Sequence, residues 1–197
     1  SKIHPSSIYG ITKQVQEQLV LNVCKSIGVA GVSLRFQNVY GPGQSLTNPY
    51  TGILSVFSNL ILNKKPINIF EDGEESRDFV FIDDVVNATI LGIEKPEANY
   101  QVFNVGTGVA TTVLTVAETL MRNYGIQIPL EISGQYRKGD IRHNFADISL
   151  IKEKLGFVPS VDFETGLNLF CNWVNQQSPA EDRYEQSLSE LKSKGLM

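Results

Sequence analysis

IYGITKQVQEQLVLNVCKSIGVAGVSLRFQNVYGPG, residues 8–43, holds the two periods on which the fold turns. Ile8, Ile11, Val15, Leu19, Val23 and Ile27 recur three or four positions apart and draw one face of a helix, with Pro5 and Ser6 or Ser7 as start signals and Gly28 as the stop. Residues 29–40, VAGVSLRFQNVY, are β-branched and aromatic, and Gly41-Pro42-Gly43 closes them, so they read as a strand ending in a turn. A long helix feeding a strand is half of an α/β unit.

The rest of the chain repeats that unit. Ile53, Leu54, Phe57, Leu60 and Ile61 form a second helical stripe, a short strand is expected at 67–70, and 71–76 (EDGEES) is turn material. Residues 77–82, RDFVFI, alternate into another strand, which meets Asp83-Asp84 and a helix at 85–94. Further strands are expected at 101–105 and 130–133, with helices at 113–124, 149–155 and 163–177. Strands alternating with helices make the class α/β. After Pro179 the tail carries acids first and lysines last, the polarity a helix dipole favours. It reads as an amphipathic helix docked on the body or a partner, or as a fraying solvent-side helix.

Composition narrows the function. The 197 residues carry 17 basic and 21 acidic side chains, a net charge of −4 with no block of like charge, so no footprint for nucleic acid or anionic membrane is expected. No apolar run reaches the roughly 18 residues of a membrane span, and the chain is expected to be soluble. Cys24 and Cys171 lie too far apart for a zinc knuckle and suggest two buried thiols in a reducing, cytoplasmic compartment. Residues 1–7, SKIHPSS, have neither Met nor signal architecture and run straight into a helix, so the sequence is expected to begin within a longer protein.

Tyr9 and Lys13 stand four apart on one helix face, where an ammonium near a phenol favours the phenolate that general-base chemistry needs. An ordinary exposed helix pair is the competing reading. Gly106-Thr107-Gly108 invites a dinucleotide-binding interpretation, but the third glycine is missing and a strand-to-helix turn accounts for it better. Asp83-Asp84 are better explained as N-caps than as paired catalytic carboxylates. His4 and His143 lack metal-ligand spacing, and no metal is expected. Arg77, Arg137 and Arg142 lie beside turns, where forked donors suit a phosphate or diphosphate, or else are solvated surface groups.

Five blocks in this order, YGITK, LRFQNVYGPGQ, INIFEDGEESRDFVFIDDV, FNVGTG and RKGDIRHNFADISLIKEKLGF, resemble the C-terminal two-thirds of an extended short-chain dehydrogenase/reductase of the nucleotide-sugar epimerase/dehydratase family, from Tyr9 to about Val174. Within it, LRFQNVYGPGQSLTNPYTGI is most similar to the 4-epimerases of dTDP-L-rhamnose. The resemblance implies the last part of a Rossmann-type doubly wound cofactor domain (1–45), a smaller α/β substrate-binding domain (46–178) with segments returning to the first, and a helical tail (179–197). By position Tyr9 matches the catalytic tyrosine and Lys13 the lysine on the nicotinamide ribose. Phe36 and Val39 match the segment lining the nicotinamide, and Asn38 the asparagine on the substrate diphosphate. Asn68 and Phe70 match the strand that holds the base, Arg77 the main phosphate arginine, and Arg137 with Asp140 the pair near the nucleoside. Arg142 is a further contact, and Asp78 is expected to support the arginine loop.

The family's glycine-rich NAD motif and the Ser or Thr of its catalytic group precede the tyrosine and are absent from these residues, so most of the NAD site is expected to lie outside them. The parent is expected to be a homodimeric 4-epimerase of dTDP- or UDP-hexoses. The alternatives are a 4,6-dehydratase, a reductase or a decarboxylase sharing these blocks, or a non-catalytic nucleotide-sugar binding module.

Overall fold

The computed structural model describes residues 5, 7–46, 52–136, 141–177 and 193. In chain order the elements begin with α1 (Ile8–Ser26), β1 (Ser33–Phe36), β2 (Asn38–Tyr40), α2 (Ile53–Leu62) and β3 (Ile67–Ile69). They continue with β4 (Ser76–Arg77), β5 (Phe79–Phe81), α3 (Ile82–Glu94), β6 (Val102–Val105) and β7 (Thr111–Thr112). Last come α4 (Val113–Tyr124), β8 (Leu130–Ile132), β9 (His143–Asn144), α5 (Ser149–Leu155) and α6 (Phe163–Val174). The α/β class holds, and the parallel pairs β1–β6, β2–β5 and β3–β8 dominate.

Two expected strands are each broken in two, for related reasons. The stretch at 29–40 is extended only from Ser33, and it changes partner at Gln37. The Gln37 N–H donates to Val105 at the end of β6, whereas the Asn38 N–H donates to Asp78 before β5. The stretch at 77–82 breaks at Asp78, with β4 pairing β7 and β9, and β5 pairing β2. Each break lets one chain segment serve two sheets.

β5 is the shared wall. Successive side chains of a strand point to opposite faces. Phe79 and Phe81 enter a core with Tyr40, Phe57, Leu120 and Phe170, whereas Val80 enters a second core with Phe103, Val105, Leu155 and Phe157. Burial on both faces explains the unbroken apolar run. Tyr40 packs edge-on against Phe79 and Phe81, and burial pushes its phenol well above its ordinary range. Gly166 on α6 admits that ring, because a Cβ there would lie 2.2 Å from Tyr40 Oη.

Helix ends follow local chemistry where a cap is at hand. Ser7 caps α1 by accepting from the Gly10 N–H, Thr112 caps α4, and Asp162 caps α6, which ends at Val174 rather than 177. Asp83 and Asp84 are not N-caps: α3 starts at Ile82, and both lie in its first turn. Asp84 is buried there and accepts from Ser160 N–H and Oγ and from Val161 N–H, tying α3 to the segment that precedes α6. Apart from residue 193, the tail expected to be helical lies outside the described residues.

α1 differs from the other helices in having no buried residue. Its Cys24 is therefore only half-buried, against expectation, while Cys171 is buried and its thiol is pushed up to about 11. A two-pronged ion pair holds α1 to β1, with Arg35 Nε and Nη2 each 2.7 Å from a Glu17 carboxylate oxygen.

That hydrogen bond, opposed by partial burial, holds the Glu17 carboxyl below its ordinary 4.5. A depressed folded-state value gives a stabilisation fully present above 4.5 and lost as pH falls through the lowered value. We expect amide exchange in α1 to accelerate below that pH, and Glu17→Gln to loosen the helix by about 1 kcal/mol at neutral pH while removing the acid dependence. The apolar face, with Ile8 82% and Leu19 58% exposed, should drive self-association of the 197-residue chain. Light scattering should show Leu19→Lys to be less associated than the parent sequence.

Candidate functional site

An open cleft of about 530 Å³ lies between α1 and β1. Tyr9, Lys13 and Glu17 line it from the helix, and Leu34, Arg35 and Phe36 from the strand. Ser7 starts the helix in the register that presents Tyr9 and Lys13, four apart, to one side. Lys13 Nζ lies over the Tyr9 ring, 5.4 Å from its centroid, within cation–π reach. Tyr9 is 71% and Phe36 49% exposed, so both present surface to an incoming molecule. The arrangement is a phenol and an ammonium in an open cleft with an aromatic wall.

Val39 does not join them. Its side chain packs on the second core, because the change of partner at Gln37 carries β2 away from the cleft. Asn38 begins β2, and its N–H donates to the Asp78 carbonyl.

Asp78 is fully buried and accepts four hydrogen bonds, from Thr107 N–H (2.8 Å), Thr107 Oγ1 (2.6 Å), Gly108 N–H (2.9 Å) and Ala146 N–H (3.1 Å). The Gly106-Thr107-Gly108 turn is thus an anion cradle filled by a carboxylate from the same chain. A Cβ at Gly106 would lie 2.4 Å from Asp78 Oδ2, which requires glycine there. The arrangement leaves no room at this turn for a dinucleotide phosphate. The sequence signal for it was the pairing of an Asp inside an apolar strand with a glycine turn.

The neighbouring residues carry the arginines. Arg77 Nη1 donates to the carbonyls of Ser76 and Arg142. Arg142 itself forks, with Nη2 2.6 Å from Asp72 and Nη1 on Glu71. Its guanidinium is thus engaged by two carboxylates of the turn between β3 and β4. The Arg142 hydrogen bond holds the Asp72 carboxyl below its ordinary value. Asn68, central in β3, has a buried Oδ1 with no partner among the described residues, and Phe70 directly follows the strand. Arg137 and Asp140 lie outside the described residues. The structure therefore forms two groups, Tyr9 with Lys13 and Phe36, and Arg77 with Arg142.

Comparisons with known proteins give the family. Residues 1–106 match the NAD dependent epimerase/dehydratase family. The chain is 40% identical over 173 residues to a dTDP-L-rhamnose 4-epimerase of Burkholderia thailandensis, covering 88% of this chain and 47% of that protein. The crystal structure of a UDP-glucose 4-epimerase with UDP-glucose from Thermotoga maritima superposes with a TM-score of 0.81 at 38% identity, over 88% of this chain and 55% of that one. A UDP-N-acetylglucosamine 4-epimerase from Methanobrevibacter ruminantium M1, in complex with UDP-N-acetylmuramic acid, superposes at 0.82 with 34% identity, over 89% of this chain and 56% of that one. The α/β fold is that of the extended dehydrogenase/reductase epimerases. The chain belongs to the NAD dependent epimerase/dehydratase family, and it spans about half the length of these relatives.

Asp78→Asn would turn an NH2 group toward two of the four donors in a buried site. We expect a loss of about 2–4 kcal/mol of stability, read as a lowered urea midpoint, with Gly106→Ala destabilising through the same contact.

Proposed function

We propose that this chain is part of an NAD-dependent nucleotide-sugar 4-epimerase acting on dTDP- or UDP-hexoses, with dTDP-L-rhamnose the first substrate to test. The observation that carries this reading is the cleft in which Tyr9, Lys13 and Phe36 meet. It suits the nicotinamide end of the cofactor: an exposed phenol, a cation beside it and an aromatic wall. The pyrophosphate must be held elsewhere, because the cradle at Gly106-Thr107-Gly108 is filled by Asp78. When bound, the cofactor supplies a hydride acceptor that can return the hydride. Tyr9 Oη takes the proton of the C4 hydroxyl as C4 loses its hydride, and gives it back when the 4-keto sugar is reduced on its other face. Lys13 stabilises the phenolate, and Phe36 shields one side of the reacting atoms.

The substrate end is assigned to the arginine group. Arg77 binds the diphosphate through its fork, Asn38 adds a contact, and Asn68 with Phe70 faces the base, the unpartnered Asn68 Oδ1 being ready to accept a hydrogen bond. Arg137 and Asp140 complete the nucleoside site on this reading. The core containing β1, β6 and α5 belongs to the cofactor domain and the core of α2, α4 and α6 to the substrate domain, so β6 and α5 return to the first domain from within 46–178. On the same reading the enzyme is a cytoplasmic homodimer, its subunits meeting in part through the exposed face of α1.

In the intact protein, Tyr9→Phe should lower turnover at least about a hundredfold while leaving UDP and dTDP binding in place. Arg77→Ala should raise the dissociation constants of both nucleotides about tenfold, and Arg77→Lys should recover only part, as a point charge cannot reproduce the fork. Wild-type turnover in Tyr9→Phe would reject the catalytic assignment. A 4-keto-6-deoxy product in place of the C4 epimer would identify a dehydratase.

A further inference from the structure

We infer that Gln37 is a specificity-determining residue, whose side-chain amide accepts a hydrogen bond from the C2 or C3 hydroxyl of the hexose; this rests on the reading of the Tyr9 cleft given above. Gln37 stands where β1 gives way to β2. Its N–H still donates to Val105 at the end of β6, while the next N–H, that of Asn38, donates to Asp78 before β5. Two parallel pairs part at this residue. In open parallel sheets, ligands bind in the crevice beyond the carboxyl ends of the strands, at such a change of partner.

The side chain belongs to the face of the sheet that carries α1. Ser33 and Arg35 both donate to Glu17 of α1, and the strand period of two gives Gln37 the same face, one step nearer the carboxyl end. The short connection at 27–32 makes α1 and β1 run in opposite senses, so the step from Arg35 to Gln37 leads from Glu17 toward Lys13 and Tyr9. Gly106 leaves room for this side chain, since a Cβ there would lie 2.8 Å from Gln37 Cγ.

Gln37 Oε1 is buried and has no partner among the described residues. Asp78 also lies against Gly106, but it is itself an acceptor of four hydrogen bonds and cannot supply a donor. A buried acceptor without a donor costs free energy until something brings one. The place of Gln37 in the chain selects what brings it. Phe36 lines the cleft of Tyr9, where C4 reacts, and Asn38 is assigned to the diphosphate carried on C1. Between C1 and C4 of a hexose lie C2 and C3, whose hydroxyls are donors, whereas the other way round the ring, through the ring oxygen and C5, offers no donor on the ring itself.

The test uses the intact protein loaded with NAD, whichever of UDP-glucose and dTDP-L-rhamnose it turns over, and the 2-deoxy and 3-deoxy forms of that sugar nucleotide. In calorimetric titrations we expect wild type to bind one deoxy form about tenfold less tightly than the parent sugar nucleotide. Gln37→Met keeps the length of the side chain and removes the amide. It should weaken binding of the parent sugar nucleotide about tenfold, bind that deoxy form as wild type does, and leave the affinity for the bare nucleoside diphosphate unchanged. Without ligand it should melt at or above the wild-type temperature, because it removes an acceptor that has no donor.

Equal binding of the parent and both deoxy forms by wild type would overturn the proposal, and that comparison stands whatever the variants do. Undiminished discrimination by Gln37→Met would overturn it too, as would weaker NAD binding with sugar binding unchanged, which would assign the amide to the cofactor. Melting well below wild type in both Gln37→Met and the shorter Gln37→Leu would show that the amide has its partner inside the protein, against the proposal. Failure of wild type to bind either nucleotide hexose would instead overturn the reading of the cleft on which the proposal rests.

Discussion

A buried carboxylate, Asp78, meets the backbone amides of Thr107 and Gly108 after β6 and of Ala146 before α5. A charge taken out of water is tolerated only when its lone pairs are satisfied, and here four donors from two separate segments do so. Because those segments converge on one residue, its sequence neighbours acquire fixed positions. Arg77 is placed at the end of β4, Phe79 starts β5, and the Asp78 carbonyl takes the Asn38 N–H at the point where β1 gives way to β2. The same interaction fills the glycine turn that would otherwise be open to a ligand phosphate.

The apolar architecture is organised around the strand that follows. β5 divides two cores, with Phe79 and Phe81 on one side and Val80 on the other, so its three residues couple the packing of α2, α4 and α6 to that of β6 and α5. Buried side chains of this size each contribute about 1.5–3 kcal/mol by transfer from water, and none of them has polar atoms that need a partner. Polar ties then join what the cores leave loose. Asp84 binds the 160–161 segment to α3, and Glu17 binds Arg35 to α1.

α1 shows what lies outside this scheme. It carries Tyr9 and Lys13 on a helix held mainly by polar contacts, with its apolar stripe exposed. The arginine group is held by the ion pairs of Arg142 with Glu71 and Asp72 and by the contacts of Arg77 with the Ser76 and Arg142 carbonyls. The two groups therefore respond to different perturbations: the first to acid that discharges Glu17, the second to loss of the Glu71 and Asp72 charges.

Much of this was legible in the residue pattern. Periods of three to four and of two are properties of local geometry, and they located α1, α2, α4 and α5 and the α/β class. The ordered blocks around Tyr9, Arg77 and Gly106 likewise carried the family resemblance. What local pattern could not contain was the choice of long-range partner. Residues 29–40 and 77–82 each look like one strand, since nothing in their own composition says that β6 ends at Val105 or that Asp78 is needed 29 residues away at Thr107. Val39 and Phe36 have equal claims to the cleft until the register with β5 and β6 turns one into a core and leaves the other half-exposed. Arg142 looks like a free cation in the sequence because Glu71 lies 71 positions away, and an ion pair across that distance exists only once β4 and β9 have paired.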